Sequence, residues 1–183
     1  MNDIPIQFKQ GLRLVMLTVR GKDGGLKTRP DRVAKKKLSE NPEDFDKIVA
    51  EFETIRTPQE RIYSSVNCRD IKKAQREFKE RQLEADYFDE ESRNRFYLDI
   101  KNRWVSCVMK PSCRAETYFL FDADDLTRWT VGEAIDKIEE VTDVIWHYKT
   151  KNGYHIITKP FNPNDLKENF GEIKKDALIL VSY

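Results

Sequence analysis

A chain of 183 residues is long enough for one ordinary domain or a small two-lobed one, and too short for two large independent ones. Its 33 Lys and Arg offset 32 Asp and Glu, so a charged fraction of 36% leaves a net charge of only +1, and global charge alone points to no polyanionic partner. No apolar run reaches the roughly 20 residues that span a bilayer, and residues 1–13 lack the apolar stretch of a secretory signal, so the cytosol is the expected compartment and no membrane is a partner.

Residues 11–20 alternate enough, through Leu14, Val15, Met16, Leu17 and Val19, to predict a strand leading into turn residues at 21–25. A basic loop carrying Lys27, Arg29, Arg32, Lys35, Lys36 and Lys37 is expected next. Asn41 before Pro42 starts a helix whose inner face is Phe45, Ile48, Val49, Phe52 and Ile55. A short strand follows at 61–66, then a charged helix at 69–86 and a third helix at 90–104, with Phe96, Tyr97, Ile100 and Trp104 on one face, before Pro111 breaks the chain.

Residues 116–121 read as a strand ending in Asp122, Asp124 and Asp125. Thr130 and Glu133 form a capping box for a helix with Val131, Ala134, Ile135, Ile138 and Val141 inward. Strands at 144–149 and 154–159 flank a hairpin whose Asn152-Gly153 pair suits positive φ. Asn162 before Pro163 opens a short helix closed by Gly171, and residues 176–183 are apolar enough for a buried strand. The expected protein is α/β (α+β): an N-terminal α/β lobe over residues 1–115, and a ferredoxin-like or RRM-like β-α-β-β-α-β sheet unit over 116–183. In that unit the third strand pairs between the first two and the fourth flanks the first.

These directions bring the end of the first strand (Asp122, Asp124), the hairpin with Lys151 and His155, and Asp176 to one end of the sheet. Carboxylates packed there would repel one another unless a divalent cation lay between them, and all-oxygen ligands suit Mg²⁺ or Mn²⁺. Such ions serve phosphoryl and nucleotidyl transfer, for which Lys151 and His155 would supply donors to a triphosphate. Of the two histidines, His147 sits in an alternating strand beside Trp146 and is expected to be structural.

Asp122-x-Asp124, Gly153-x-His155 and Asp176 within an apolar segment resemble, in order and strand placement, the three motifs of archaeo-eukaryotic primase-like polymerases. The resemblance covers residues 121–176. It implies that Asp122, Asp124 and Asp176 bind metal, that His155 contacts the incoming nucleotide, and that the chain is a nucleotidyltransferase acting on a nucleoside triphosphate or nucleic acid. The basic run at 27–37 and a polar cluster of Arg61, Tyr63, Ser64, Asn67, Arg69, Lys72 and Lys73 at a strand-to-helix junction are the expected nucleic-acid or nucleotide contacts.

Two other readings stand beside this one. The same carboxylates could direct water as a nuclease or phosphohydrolase, or the sheet could bind single strands without catalysis, provided its aromatic face is bare. Cys68, Cys107 and Cys113, never in a Cys-x-x-Cys pair, are expected to be reduced thiols, and Cys68, with no histidine near it in sequence, has no catalytic role.

Overall fold

The computed structural model describes residues 3–19, 32–124 and 129–182. Its elements run β1 (Arg13–Val19), β2 (Arg32–Ser39), α1 (Pro42–Ile55), β3 (Glu60–Ser65), α2 (Ile71–Phe88), α3 (Glu90–Leu98), α4 (Ile100–Val108) and β4 (Phe119–Ala123). They continue with α5 (Val131–Glu139), β5 (Val144–Lys149), β6 (Tyr154–Thr158), β7 (Glu172–Lys174) and β8 (Leu178–Ser182). The strands form two antiparallel sheets, ordered β2-β1-β3-β8 and β5-β6-β4-β7.

Period-2 alternation explains the layering. In the first sheet Leu17 pairs with Ile62 and Val15 with Ser64, so these residues share a face, and the apolar stripe of α1 (Phe45, Ile48, Val49, Phe52) joins Val15, Leu17 and Ile62 in one core. The opposite face carries Met16 against Tyr63 and Thr18 against Arg61, and turns toward the second sheet. There Phe121 pairs with Ile156 and packs with Ala134 and Ile138 of α5 and with Phe170, while Leu120, Tyr148 and Ile157 belong to the core shared with the first sheet. The layers are thus α1, first sheet, second sheet, α5. No helix among the described residues is long and apolar enough to cross a membrane.

Local chemistry sets the helix ends. Asn41 accepts the Asp44 backbone N–H at 2.9 Å with Pro42 in the first turn, and Thr130 and Glu133 complete the expected capping box. Asp70 caps α2, accepting from the backbone N–H groups of Lys72 (2.8 Å) and Lys73 (3.1 Å).

The structure departs from the expected architecture at four places. Residues 32–39 are a strand, so Arg32, Lys35, Lys36 and Lys37 lie on an exposed sheet edge and not in a loop; an edge strand with lysines has no buried face to reveal it in sequence. Lys27, Arg29 and the turn at 21–25 lie outside the described residues. The helix expected over 90–104 is two, α3 and α4, meeting at Asp99. The helix expected after Asn162 is a 3₁₀ turn, Pro163–Asp165.

The fourth departure concerns the C-terminal unit. β6 lies between β5 and β4 as expected, and β4 and β5 run the same way. The place beside β4 belongs to the short β7, while β8, expected there, crosses to pair with β3 in the first sheet. Part of the apolar C-terminal strand's core is therefore supplied by the N-terminal half.

Candidate active site

A cleft of about 560 Å³ opens between the two sheets. Met16, Thr18, Tyr63 and Leu180 line it from the first sheet; Leu120, Asp122, His155 and Lys174 line it from the second; Asp124, Lys151 and Asp176 line it from the segments that adjoin the strands. Its size suits a small-molecule ligand, and it combines an apolar wall with convergent polar groups.

Register builds the polar wall. Asp122 is directly opposite His155, which is opposite Tyr148, so three side chains on adjacent strands β4, β6 and β5 point the same way. His155 Nε2 lies 3.2 Å from Asp122 Oδ1, and Tyr148 Oη lies 2.6 Å from His155 Nδ1. Tyr148 Oη also accepts the Leu180 backbone N–H at 3.0 Å, tying the histidine's support to the first sheet.

The carboxylate's second oxygen, Oδ2, pairs with the ammonium of Lys174, which also lies 3.3 Å from Glu172 Oε2. The hydrogen bond from His155, then that from Lys174, hold the Asp122 carboxyl well below the usual carboxylate range although burial pushes the other way. An ionised carboxylate only accepts, so His155 carries its proton on Nε2, and in the neutral ring Nδ1 accepts from the Tyr148 hydroxyl. Burial opposes the charge on Lys174, but the Asp122 and Glu172 carboxylates more than offset it and raise that ammonium above its ordinary value.

Two glycines crowd the end of β4. A Cβ on Gly153 would lie 2.0 Å from the Ala123 carbonyl oxygen, and one on Gly171, at φ 133°, would lie 2.3 Å from that of Asp122. Gly153 does not take the positive φ expected of it; only Gly11 and Gly171 do among the described residues. Its requirement is close approach: the hairpin passes directly against the strand that carries Asp122.

Of the residues singled out in sequence, Asp122, Asp124, His155, Lys151, Arg61 and Asp176 all line the cleft. Asp176, however, is held by Arg69 at 2.7 Å and Arg114 at 3.2 Å, with Asn67 Nδ2 at 3.4 Å. Arg69, expected to contact nucleotide, has a wholly buried side chain that also donates to the Lys110 carbonyl oxygen at 3.3 Å. Its position supports the fold under the cleft, and the adjoining α2 N-terminus already holds the Asp70 carboxylate where a phosphate was expected. Asn67 is buried too, accepting the Tyr118 N–H at 2.6 Å and donating to the Lys175 carbonyl oxygen at 3.1 Å. Lys174 and Tyr148 were not anticipated; the three residues of β7 are too few to show a period for the first, whereas the alternation of Trp146 and Tyr148 was an available signal for the second.

Among the described residues no three His, Cys, Asp or Glu side chains gather into a metal-binding group. A Mg²⁺ ion that comes with a triphosphate requires no such cage: it takes one or two protein carboxylates and completes its octahedron with phosphate oxygens and water. Asp122 and Asp124, two residues apart at one strand end and lining one cleft, fit that donor set once the Lys174 ammonium leaves Asp122 Oδ2. Asp176, paired with two guanidiniums, does not. Cys68, Cys107 and Cys113 are free and buried, and burial pushes the Cys68 thiol up, away from nucleophilic character.

No protein-family model, curated protein or solved structure matches this chain.

Proposed function

We propose that the chain is a metal-dependent nucleotidyltransferase of the primase-polymerase type, binding a nucleoside triphosphate in the cleft between its sheets. One observation carries this reading: Asp122 and Asp124, Lys151 and His155, and Lys174, from three segments separated in sequence, line a single cleft. Asp122 and Asp124 would hold a Mg²⁺ or Mn²⁺ ion, which when bound neutralises phosphate charge and orients the attacking and leaving oxygens. Lys151 and Lys174 bring positive charge to the same walls. His155, fixed between Asp122 and Tyr148, presents a ring of defined orientation to the cleft. Met16, Tyr63 and Leu180 offer an apolar wall for the nucleoside.

Among the described residues, the second sheet offers no bare aromatic face for binding single strands. Phe121 is buried and stacked on Phe161 at 5.7 Å beneath α5, and the other face of the second sheet turns toward the first. The test is incubation with labelled nucleoside triphosphate, Mn²⁺ or Mg²⁺ and a primed template. Wild type incorporates label, and Asp122→Asn loses incorporation by about a hundredfold or more. Shortened strands without incorporation would indicate hydrolysis instead, and no reaction on either substrate would overturn the proposal.

A further inference from the structure

Lys174 holds a position that the roles of Asp124 and His155 do not require. It lies on β7 across from Leu120, which places its side chain on the cleft face of the second sheet. Its ammonium takes Asp122 Oδ2, the oxygen that His155 leaves open, so both oxygens of the carboxylate are occupied. Oδ2 is also the oxygen a divalent ion would use without disturbing His155. An ammonium and a divalent cation cannot share it without strong like-charge repulsion.

We infer that Lys174 is a tethered counter-ion: with the cleft empty it fills the divalent ion's seat on Asp122, and it transfers to the triphosphate when ion and nucleotide arrive together. This rests on the reading of the cleft as a triphosphate site. The side chain is suited to the exchange. Lysine is a compact point charge on a flexible stem, this one is 38% exposed, and it stands on a three-residue edge strand. Displaced by an ion alone, the ammonium keeps only Glu172; displaced in the presence of a triphosphate, it gains phosphate oxygens. Ion and triphosphate therefore favour each other's binding, and Lys174 carries part of that coupling.

One substitution at Lys174 should have effects of opposite sign on the two ligands. Calorimetric titration of the full chain with Mn²⁺ alone should show Lys174→Met binding the ion about fivefold more tightly than wild type, because the competing cation is gone. Titration with inorganic tripolyphosphate in the absence of metal should show the same variant binding about fivefold more weakly. Lys174→Gln, which keeps polarity and removes charge, should move both affinities the same way, and thermal melts of both variants report whether the fold is intact. A merely structural role for Lys174 would weaken both ligands together. If wild type binds Mn²⁺ and tripolyphosphate but the folded variants bind Mn²⁺ no more tightly, the counter-ion role is overturned alone. If wild type binds neither probe, the triphosphate reading falls, and the inference with it.

Discussion

Asp176 offers a sharp distinction between a ligand presented to the cleft and a carboxylate needed by the fold. Its partner Arg69 has no exposed side-chain surface, and replacing Asp176 by Asn leaves that guanidinium buried with a carbonyl contact at 3.3 Å but no counter-charge. Breaking a buried pair by removing one partner costs about 3–5 kcal/mol. Asp176 itself is 27% exposed and Arg114 is 20% exposed, so water screens part of the loss and about 3 kcal/mol is the reasoned figure. For a chain of this size that lowers Tm by roughly 6–12 °C. Urea melts of wild type, Asp176→Asn and Asp122→Asn, compared at equal slope, measure it. The Asp176 variant should be clearly the less stable of the two, since Asp122 faces a partly exposed ammonium and an imidazole. A loss below about 1 kcal/mol for Asp176→Asn would refute the assignment of this carboxylate to Arg69.

Other consequences can be checked directly. Gly171→Ala drives a Cβ to 2.3 Å from the Asp122 carbonyl oxygen at a φ that side chains avoid, and should cost about 2–4 kcal/mol in a denaturant melt. Tyr148→Phe removes the hydroxyl that meets His155 Nδ1 and the Leu180 N–H; it should cost about 1–3 kcal/mol and shift the His155 ring resonances in an NMR spectrum, whereas unchanged resonances would contradict the contact. The depressed Asp122 carboxyl stabilises the fold above its unfolded value near 4, and that contribution is lost as pH falls toward its lowered folded value. The Tm difference between wild type and Asp122→Asn should accordingly be largest near neutrality and shrink as the pH is lowered below about 4; a difference constant from pH 7 to pH 3 would refute the charge assignment.

Elements whose residues alternate or recur against a core were legible in the sequence. β5 runs over the residues its alternation marks, and Thr130 with Glu133 announced α5. Strand directions set by the helical crossover and the hairpin also placed Asp122 and His155 at one end of a sheet. The rest was hidden for identifiable reasons. β2 is an edge strand with little burial, so its lysines mimic a loop, and β7 has three residues, too few for a period. The apolar run of β8 announces burial but carries no information about which sheet will bury it. Asp176 and Arg69 lie 107 positions apart, and only the crossing of β8 to β3 brings them together. The same crossing closes the cleft, so the two sheets make one site, whereas sequence placed the catalytic residues in the C-terminal unit and gave the N-terminal lobe only nucleotide or nucleic-acid contacts such as Arg61.

The most direct measurement is calorimetric titration with Mn²⁺ in the presence of a nucleoside triphosphate, on wild type and on the Asp122→Asn/Asp124→Asn double variant, with thermal melts confirming that both are folded. Saturable binding by wild type that the double variant loses is the predicted result. Wild type that binds neither ion nor nucleotide, or a folded double variant that binds both as well as wild type, would contradict the account.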